Sequence, residues 1–256
     1  VPTLSGGAVL NRYWDDLPTP RPESYREDAE LAEHAPVAER PGIYRHIRAA
    51  AESGWDFSSR WMDEPADLAT TRATDLVPVD LTAILFHTEQ TLARLSQASG
   101  DKLAAVRFEA AAQARRTALY ALAWDPVAAY FFDLDAAEGF ARRTDRPTLA
   151  PAALLYFGVA NDMQAAAIAE AWERDFLYPG GLVTTPVHSR GARSHEQWDT
   201  PNGWAPLHWQ AIVGLRRYGH RALADEVRRR WLARNEAVFE RTGKMMEKYD
   251  VVDLSQ

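Results

Sequence analysis

The sequence contains no cysteine. Disulfides, thiolate catalysis and Cys-ligated zinc are therefore excluded. It also lacks a long hydrophobic run: the longest apolar stretch, Ala152 to Ala160, is short and carries a Gly. A membrane span needs roughly 20 apolar residues, so no membrane partner is expected. Positive charge is not in excess, with 29 Lys and Arg against 36 Asp and Glu and a net charge of −7. Nothing here attracts a polyanion, and nucleic acid is not an expected partner. Neither GxGxxG nor GxxxxGK occurs, HExxH is absent, and the seven His (34, 46, 87, 188, 195, 208, 220) show no ligand spacing. No metal and no cofactor are expected. Ser58 and Ser59 lack the elbow motif of a serine hydrolase. The start, Val1-Pro2-Thr3, has no Met, basic segment or apolar segment. A targeting peptide is thus either absent or already removed.

What is present is an ordinary globular composition, with 46% hydrophobic and 25% charged residues over 256 positions. That length suits one large domain or two small ones. Aromatics are plentiful, with nine each of Trp, Tyr and Phe. A Trp needs both an apolar body and an N–H partner. Nine of them fill a core or offer flat platforms for sugar rings, and position decides which.

Periodicity predicts helix pairs separated by long loops. Residues 1–42 read as irregular, because Pro2, Pro18, Pro20, Pro22, Pro36 and Pro41 break helices. A short helix follows from Gly42 to Gly54, with Ile43, Ile47 and Ala50 on one face. Asp80 is expected as an N-cap, ahead of a stripe of Leu81, Ile84, Leu85, Thr88, Leu92 and Leu95. Asp101 caps a second long helix with Leu103, Val106, Ala110, Ala114, Leu119 and Leu122. Tyr130 to Asp135 suggests a hairpin edge, Pro151 to Val159 a buried helix, and Asp162 to Trp172 another helix. Ala205 to Tyr218 and Arg221 to Arg241 form a last pair, joined at Gly219-His220. Strands do not alternate with helices, so the fold class is all-α. Long loops in such a scaffold are uncommon unless they carry function.

Four loops hold chemistry. In Arg21-Pro22-Glu23 an extended backbone would point both charged side chains the same way, as a clamp for hydroxyls or as a surface ion pair. In Ser53-Gly54-Trp55-Asp56-Phe57, aromatic neighbours would desolvate Asp56 and raise its pKa, as a general acid requires. A helix-terminal Asp bonding local amides is the bland reading. Gln197 to Pro206 packs Trp198, Asp199, Asn202 and Trp204 into ten residues, which fits a sugar site or a structural plug. Met245 to Asp250 reads on its own as a solvated helix end.

Together these segments resemble the trehalases of glycoside hydrolase family 37. The family's signature QWD-x-P-x-GWAP is matched by QWDTPNGWAP at 197–206. LNRYWDD and PRPES match its substrate-loop region, ESGWDFSSRW the segment of its acid, and EKYD that of its base. The agreement runs in order from about residue 8 to 252. The resemblance implies an (α/α)6 barrel that hydrolyses α,α-trehalose to two glucose molecules with inversion and without a cofactor. It makes Asp56 the general acid and Glu247 the general base. Asn11, Arg21, Glu23, Gly54, Trp55, Trp198, Asp199, Asn202 and Trp204 become substrate contacts. The two carboxyl groups should lie roughly 6.5–9.5 Å apart across one pocket. Members of the family are common in the periplasm, which is the expected compartment, with the cytoplasm left open. Another disaccharide on the same barrel, or a non-catalytic sugar-binding remnant, are the competing readings.

Three departures from the family shape the expectation. Its other signature, PGGRF-x-E-x-Y-x-WD-x-Y, is not found, and neither is the glycine-rich lid after EKYD. HSRGARSH at 188–195 lengthens the link into QWD. The chain is therefore expected to form part of a single catalytic domain, an incomplete barrel with an apolar flank. The missing N-terminal portion of the same enzyme would be its partner.

Overall fold

The computed structural model describes residues 10–255; Val1-Pro2-Thr3, with its helix-breaking Pro2, lies outside them. Helices dominate. Two short ones come first, α1 (Tyr25–Leu31) and α2 (Arg40–Glu52). Six more follow: α3 (Val79–Ser99) packed on α4 (Lys102–Leu122), then α5 (Ala152–Tyr156) and α6 (Asp162–Ala171), and last α7 (Ala205–Arg217) packed on α8 (Arg221–Thr242). Packing runs α4–α3–α5–α7–α8, so α3, α5 and α7 form an inner row.

Local chemistry sets the ends of these helices. Gly100 closes α3 at φ 87°, and the Asp101 side chain accepts from the Ala104 amide to open α4. Asn161 and Gln164 form a reciprocal capping box on α6. Gly214 lets α7 approach α5: a Cβ there would sit 2.6 Å from Leu155 Cβ. Short strands fill the loops: β1 (Leu76–Val77), β2 (Trp124–Asp125), β3 (Tyr130–Phe131), β4 (Leu134–Asp135), β5 (Ala141–Arg142), β6 (Leu177–Tyr178), β7 (Gly181–Leu182), β8 (Asn202–Trp204) and β9 (Lys248–Asp250). Each pairing is antiparallel, in the order β1-β4-β5, β2-β3, β6-β7 and β8-β9.

Several expectations need correction. Residues 22–31 are helical rather than irregular, since Pro22 sits at the first position of a 3-10 turn where its missing N–H is harmless. Asp80 is not the N-cap of α3; Pro78 holds that position, and the Asp80 carboxylate turns inward to Arg60. The stripes expected of α3 and α4 are buried only in part: Leu119 is buried and Leu81, Leu85 and Leu122 are half-buried. Ile84, Leu92, Leu95, Leu103 and Val106 are exposed, while Thr82, Ala83, Phe86, Ala105, Ala112 and Leu119 pack inward. Several of the larger apolar side chains of the two long helices are left outside. Met245 to Asp250 is not a helix end, because α8 stops at Gly243 (φ 68°) and residues 248–250 form β9. The 188–195 segment holds a 3-10 turn, with Arg190 near Asp145 and Glu64.

Candidate active site

Asp56 and Glu247 lie 191 positions apart, yet the main chain at Asp56 and the strand that follows Glu247 both meet the segment 197–204. On one side, the Trp198 amide donates to Phe57 O at 3.0 Å, and Gln197 Nε2 donates to Asp56 O. On the other, β9 pairs with β8 so that Trp204 faces Lys248, Gly203 faces Tyr249 and Asn202 faces Asp250. Glu247 immediately precedes that strand. Lys248 Nζ donates to Gln197 Oε1 at 3.0 Å and lies 3.9 Å from Glu247 Oε2. A polar chain therefore runs Asp56–Gln197–Lys248–Glu247. Asp56 and Gln197 are half-buried, and Glu247 is exposed.

Beneath this chain lies a column of rings. Trp55 stacks on Trp198 at 5.4 Å, and Trp198 stacks on Trp204 at 3.9 Å with planes 3° apart. A cation covers each end: the Arg60 guanidinium 4.7 Å from the Trp55 ring, and Lys248 Nζ 5.5 Å from the Trp204 ring. Both faces of Trp198 are thus occupied by other tryptophans. Trp55, Trp198 and Trp204 were expected to stack on sugar; here they stack on one another and hold the backbone that carries the carboxylates. Offset and parallel ring pairs of this kind add roughly 0.5–1.5 kcal/mol each beyond their burial.

Arg60 is a hub that sequence reasoning missed. Its side chain is fully buried between Trp55 and Trp61. It makes two bonds to Asp80 at 2.8 Å and two to Asp133 at 2.6 and 3.0 Å. Burial opposes its charge, but Asp133 and Asp80 more than offset this and raise its pKa. Tyr13, edge-on to Trp61, has its pKa raised by burial and then by Asp80.

Asp199, expected among the substrate contacts, is 0% exposed. Its carboxylate accepts from the Ser59 amide at 2.7 Å and from the Ser58 and Ser59 hydroxyls at 2.9 and 3.0 Å. It fastens the turn after Asp56 to the QWD segment, and burial raises its pKa against those bonds. Glu196, half-buried beside it, is raised by burial and by the Asp199 charge.

Arg21 and Glu23 do not form the expected clamp. Arg21 is extended, but the 3-10 turn that starts at Pro22 sends Glu23 to the surface. Arg21 instead holds buried Asp28 with two side-chain bonds, at 2.7 and 3.0 Å. Its guanidinium lies 4.9 Å from the Phe57 ring. Burial opposes its charge; Asp28, Glu23 and Asp56 together raise its pKa, which places Arg21 in the electrostatic reach of Asp56. Asn11 is bonded to Arg115 of α4 at 2.9 Å. Gly54 is exposed at φ 78°, a conformation that favours glycine, and opens the turn into Trp55. Asn202 is half-buried in β8.

His208 supports the same segment from below. Nε2 accepts from the Leu182 amide at 2.8 Å, so Nδ1 carries the proton that it donates to Trp204 O at 2.8 Å. The ring stacks on Trp231 at 3.8 Å, and burial lowers its pKa to about 4. Gly203 has no room for a side chain, since a Cβ would lie 2.7 Å from Val251 Cγ1.

Comparison with known proteins now decides the family. The family profile described as Trehalase matches residues 1–256. The chain belongs to the trehalase family. It is 46% identical over 251 residues to periplasmic trehalases of Salmonella newport and Salmonella choleraesuis. The match covers 98% of this chain and 43% of each relative, so the chain spans less than half their length. Among solved structures it is similar to neutral trehalase Nth1 from Saccharomyces cerevisiae, with a TM-score of 0.81 at 25% identity over 98% of this chain and 50% of that one. A GH63 mannosylglycerate hydrolase from Thermus thermophilus matches at a TM-score of 0.54 and 26% identity, over 70% of this chain and 41% of that one. The helix pairs described above therefore belong to the (α/α)6-barrel type of these enzymes.

Proposed function

We propose that this chain is part of a single (α/α)6 catalytic domain that hydrolyses α,α-trehalose to two glucose molecules with inversion. The observation that carries the reading is the chain Asp56–Gln197–Lys248–Glu247, which ties the main chain at Asp56 to the segment that bears Glu247. Asp56 acts as the general acid and protonates the glycosidic oxygen. Glu247 acts as the general base and takes a proton from the water that attacks the anomeric carbon from the opposite face. Such a water needs room between the carboxyl groups, about 6.5–9.5 Å in inverting enzymes. Arg21, within electrostatic reach of Asp56, and Gly54, two residues before it, are proposed sugar contacts, and Glu23 is proposed to reach the sugar from its exposed position two residues after Arg21. Asn11 and Asn202 join them from neighbouring segments. No cofactor takes part. The similarity to periplasmic trehalases supports a periplasmic location. The exposed stripe of α3 and α4 is the proposed packing face for the rest of the domain.

The test is glucose release from trehalose by the protein at its full natural length. Asp56→Asn and Glu247→Gln should each lower kcat by about 10²–10⁴-fold. One β-glucose and one α-glucose should appear first, read by NMR before mutarotation. Two α-glucose molecules would exclude inversion. The similarity to a mannosylglycerate hydrolase favours one competing reading, a different glycoside on the same fold. A panel of trehalose, maltose, sucrose and mannosylglycerate separates the two, and no turnover of any would leave a sugar-binding remnant.

A further inference from the structure

We infer that Gln197 is a positioning residue that sets the spacing of the two carboxylates, with Lys248 as its partner. The inference rests on the reading of Asp56 and Glu247 as acid and base.

Gln197 uses both ends of one amide. Its Nε2 donates to the main-chain carbonyl of Asp56, and its Oε1 accepts from Lys248 Nζ at 3.0 Å. Neither end can be exchanged. Turning the amide over would set oxygen against carbonyl oxygen and an NH2 against an ammonium, so the surrounding groups fix its orientation. Its backbone is held as well, because Gln197 O accepts from Trp204 Nε1 at 2.9 Å. One residue thus touches the main chain at Asp56, the residue after Glu247 and the ring column.

Lys248 is the second half of the device. Its ammonium meets Gln197 Oε1, the Glu247 carboxylate at 3.9 Å and the Trp204 face at 5.5 Å. These contacts hold the ammonium against the column, within 3.9 Å of the exposed Glu247 carboxylate. A carboxylate at the start of a short strand would otherwise sample many rotamers, and ordering such a side chain costs on the order of 1–2 kcal/mol. Neither Gln197 nor Lys248 has to touch the sugar in this role. They act through the positions of Asp56 and Glu247, where misplacement by about 1 Å can lower a rate about 100-fold.

The test uses four variants of the full-length protein with trehalose as substrate. Gln197→Met keeps the size and loses both bonds, and is expected to lower kcat about 10- to 100-fold with KM within about threefold. Gln197→Glu keeps the Lys248 contact but sets a carboxylate against Asp56 O, and should lower kcat as far. Lys248→Met should lower kcat by a similar factor, and Lys248→Arg, which still donates to Gln197, should restore most of it. The Gln197→Met, Lys248→Met double variant should be no slower than the slower single, since both remove one device. A kcat within twofold of the parent for Gln197→Met, or single effects that multiply in the double, would overturn the inference. If Gln197→Met does not fold, the Lys248→Met and Lys248→Arg pair decides alone, since Lys248 is half-exposed and its loss leaves no buried group unpaired. Retained turnover in Asp56→Asn or Glu247→Gln would instead defeat the reading beneath it.

Discussion

The two ends of the tryptophan column are capped by the same kind of contact and built for opposite purposes. At the Trp55 end, Arg60 is sealed from water and holds Asp80 and Asp133 with four bonds. At the Trp204 end, Lys248 is half-exposed and holds one amide oxygen, with a carboxylate 3.9 Å away. A guanidinium fork suits the first place, since its planar donors match two carboxylates at once. An ammonium suits the second, being compact and hydrated. The dry end fixes the position of the Asp56 turn. The wet end leaves Glu247 exposed to solvent. One column thus joins a rigid anchor to an accessible carboxylate.

The largest test of this contrast is Arg60→Met. It would leave two carboxylates buried side by side, and stability should fall by about 3–5 kcal/mol in denaturant melts. A loss under about 1 kcal/mol would show that the hub is not the anchor. Next comes pH. His208, beneath the Trp204 end, has a folded pKa of about 4. An unfolded His titrates near 6.5. Its contribution is full above about pH 6.5 and declines as pH falls, because the unfolded chain binds a proton that the fold refuses. The decline ends near pH 4 and amounts to about 3 kcal/mol. Thermal melts from pH 7 to 4 should show this slope, and His208→Gln should flatten it. Arg21→Lys should have a smaller effect, about 1–2 kcal/mol, because Lys cannot reproduce the fork on Asp28. Trehalose turnover should fall about tenfold, since the Phe57 contact beside Asp56 is disturbed as well. The smallest effect on stability belongs to Lys248→Met, within about 1 kcal/mol. Two ends of one column would then differ severalfold in their importance to folding.

Much of this was legible in the sequence, at the level of segments. The caps at Asp101 and Gly100 and the α7–α8 pair follow from turn chemistry, and the motif at 197–206 marks the segment that the Asp56 main chain and β9 both meet. Faces were harder. Periodicity marked the Leu81–Leu95 stripe of α3 as apolar, but it cannot say whether another element of the described residues lies against it. The smaller face, with Ala83, Phe86 and Thr82, won because α4 and α5 approach there. The motif was read as a row of substrate contacts, whereas Asp199 turned out to be spent on Ser58 and Ser59 and the Trp rings on one another. A ten-residue window shows which groups are available, but not which of them satisfy each other. Arg60 escaped notice for the same reason: Asp80 and Asp133 lie 20 and 73 positions away.

The pairing of β9 with β8 also sets an order of events. Residues 248–250 leave the ribosome after α1 to α8, and Trp204 waits for them. Gln197 can close on Asp56 earlier, across 141 positions, but its other bond must await Lys248. Long-range closures of this kind come slowly, since chain entropy is lost before contacts form. The helix pairs can collapse while the chain is still growing. Gln197 gains its Lys248 bond only after α8 has emerged, so a nascent chain that ends at α8 holds these helices without the link between the Asp56 turn and β9.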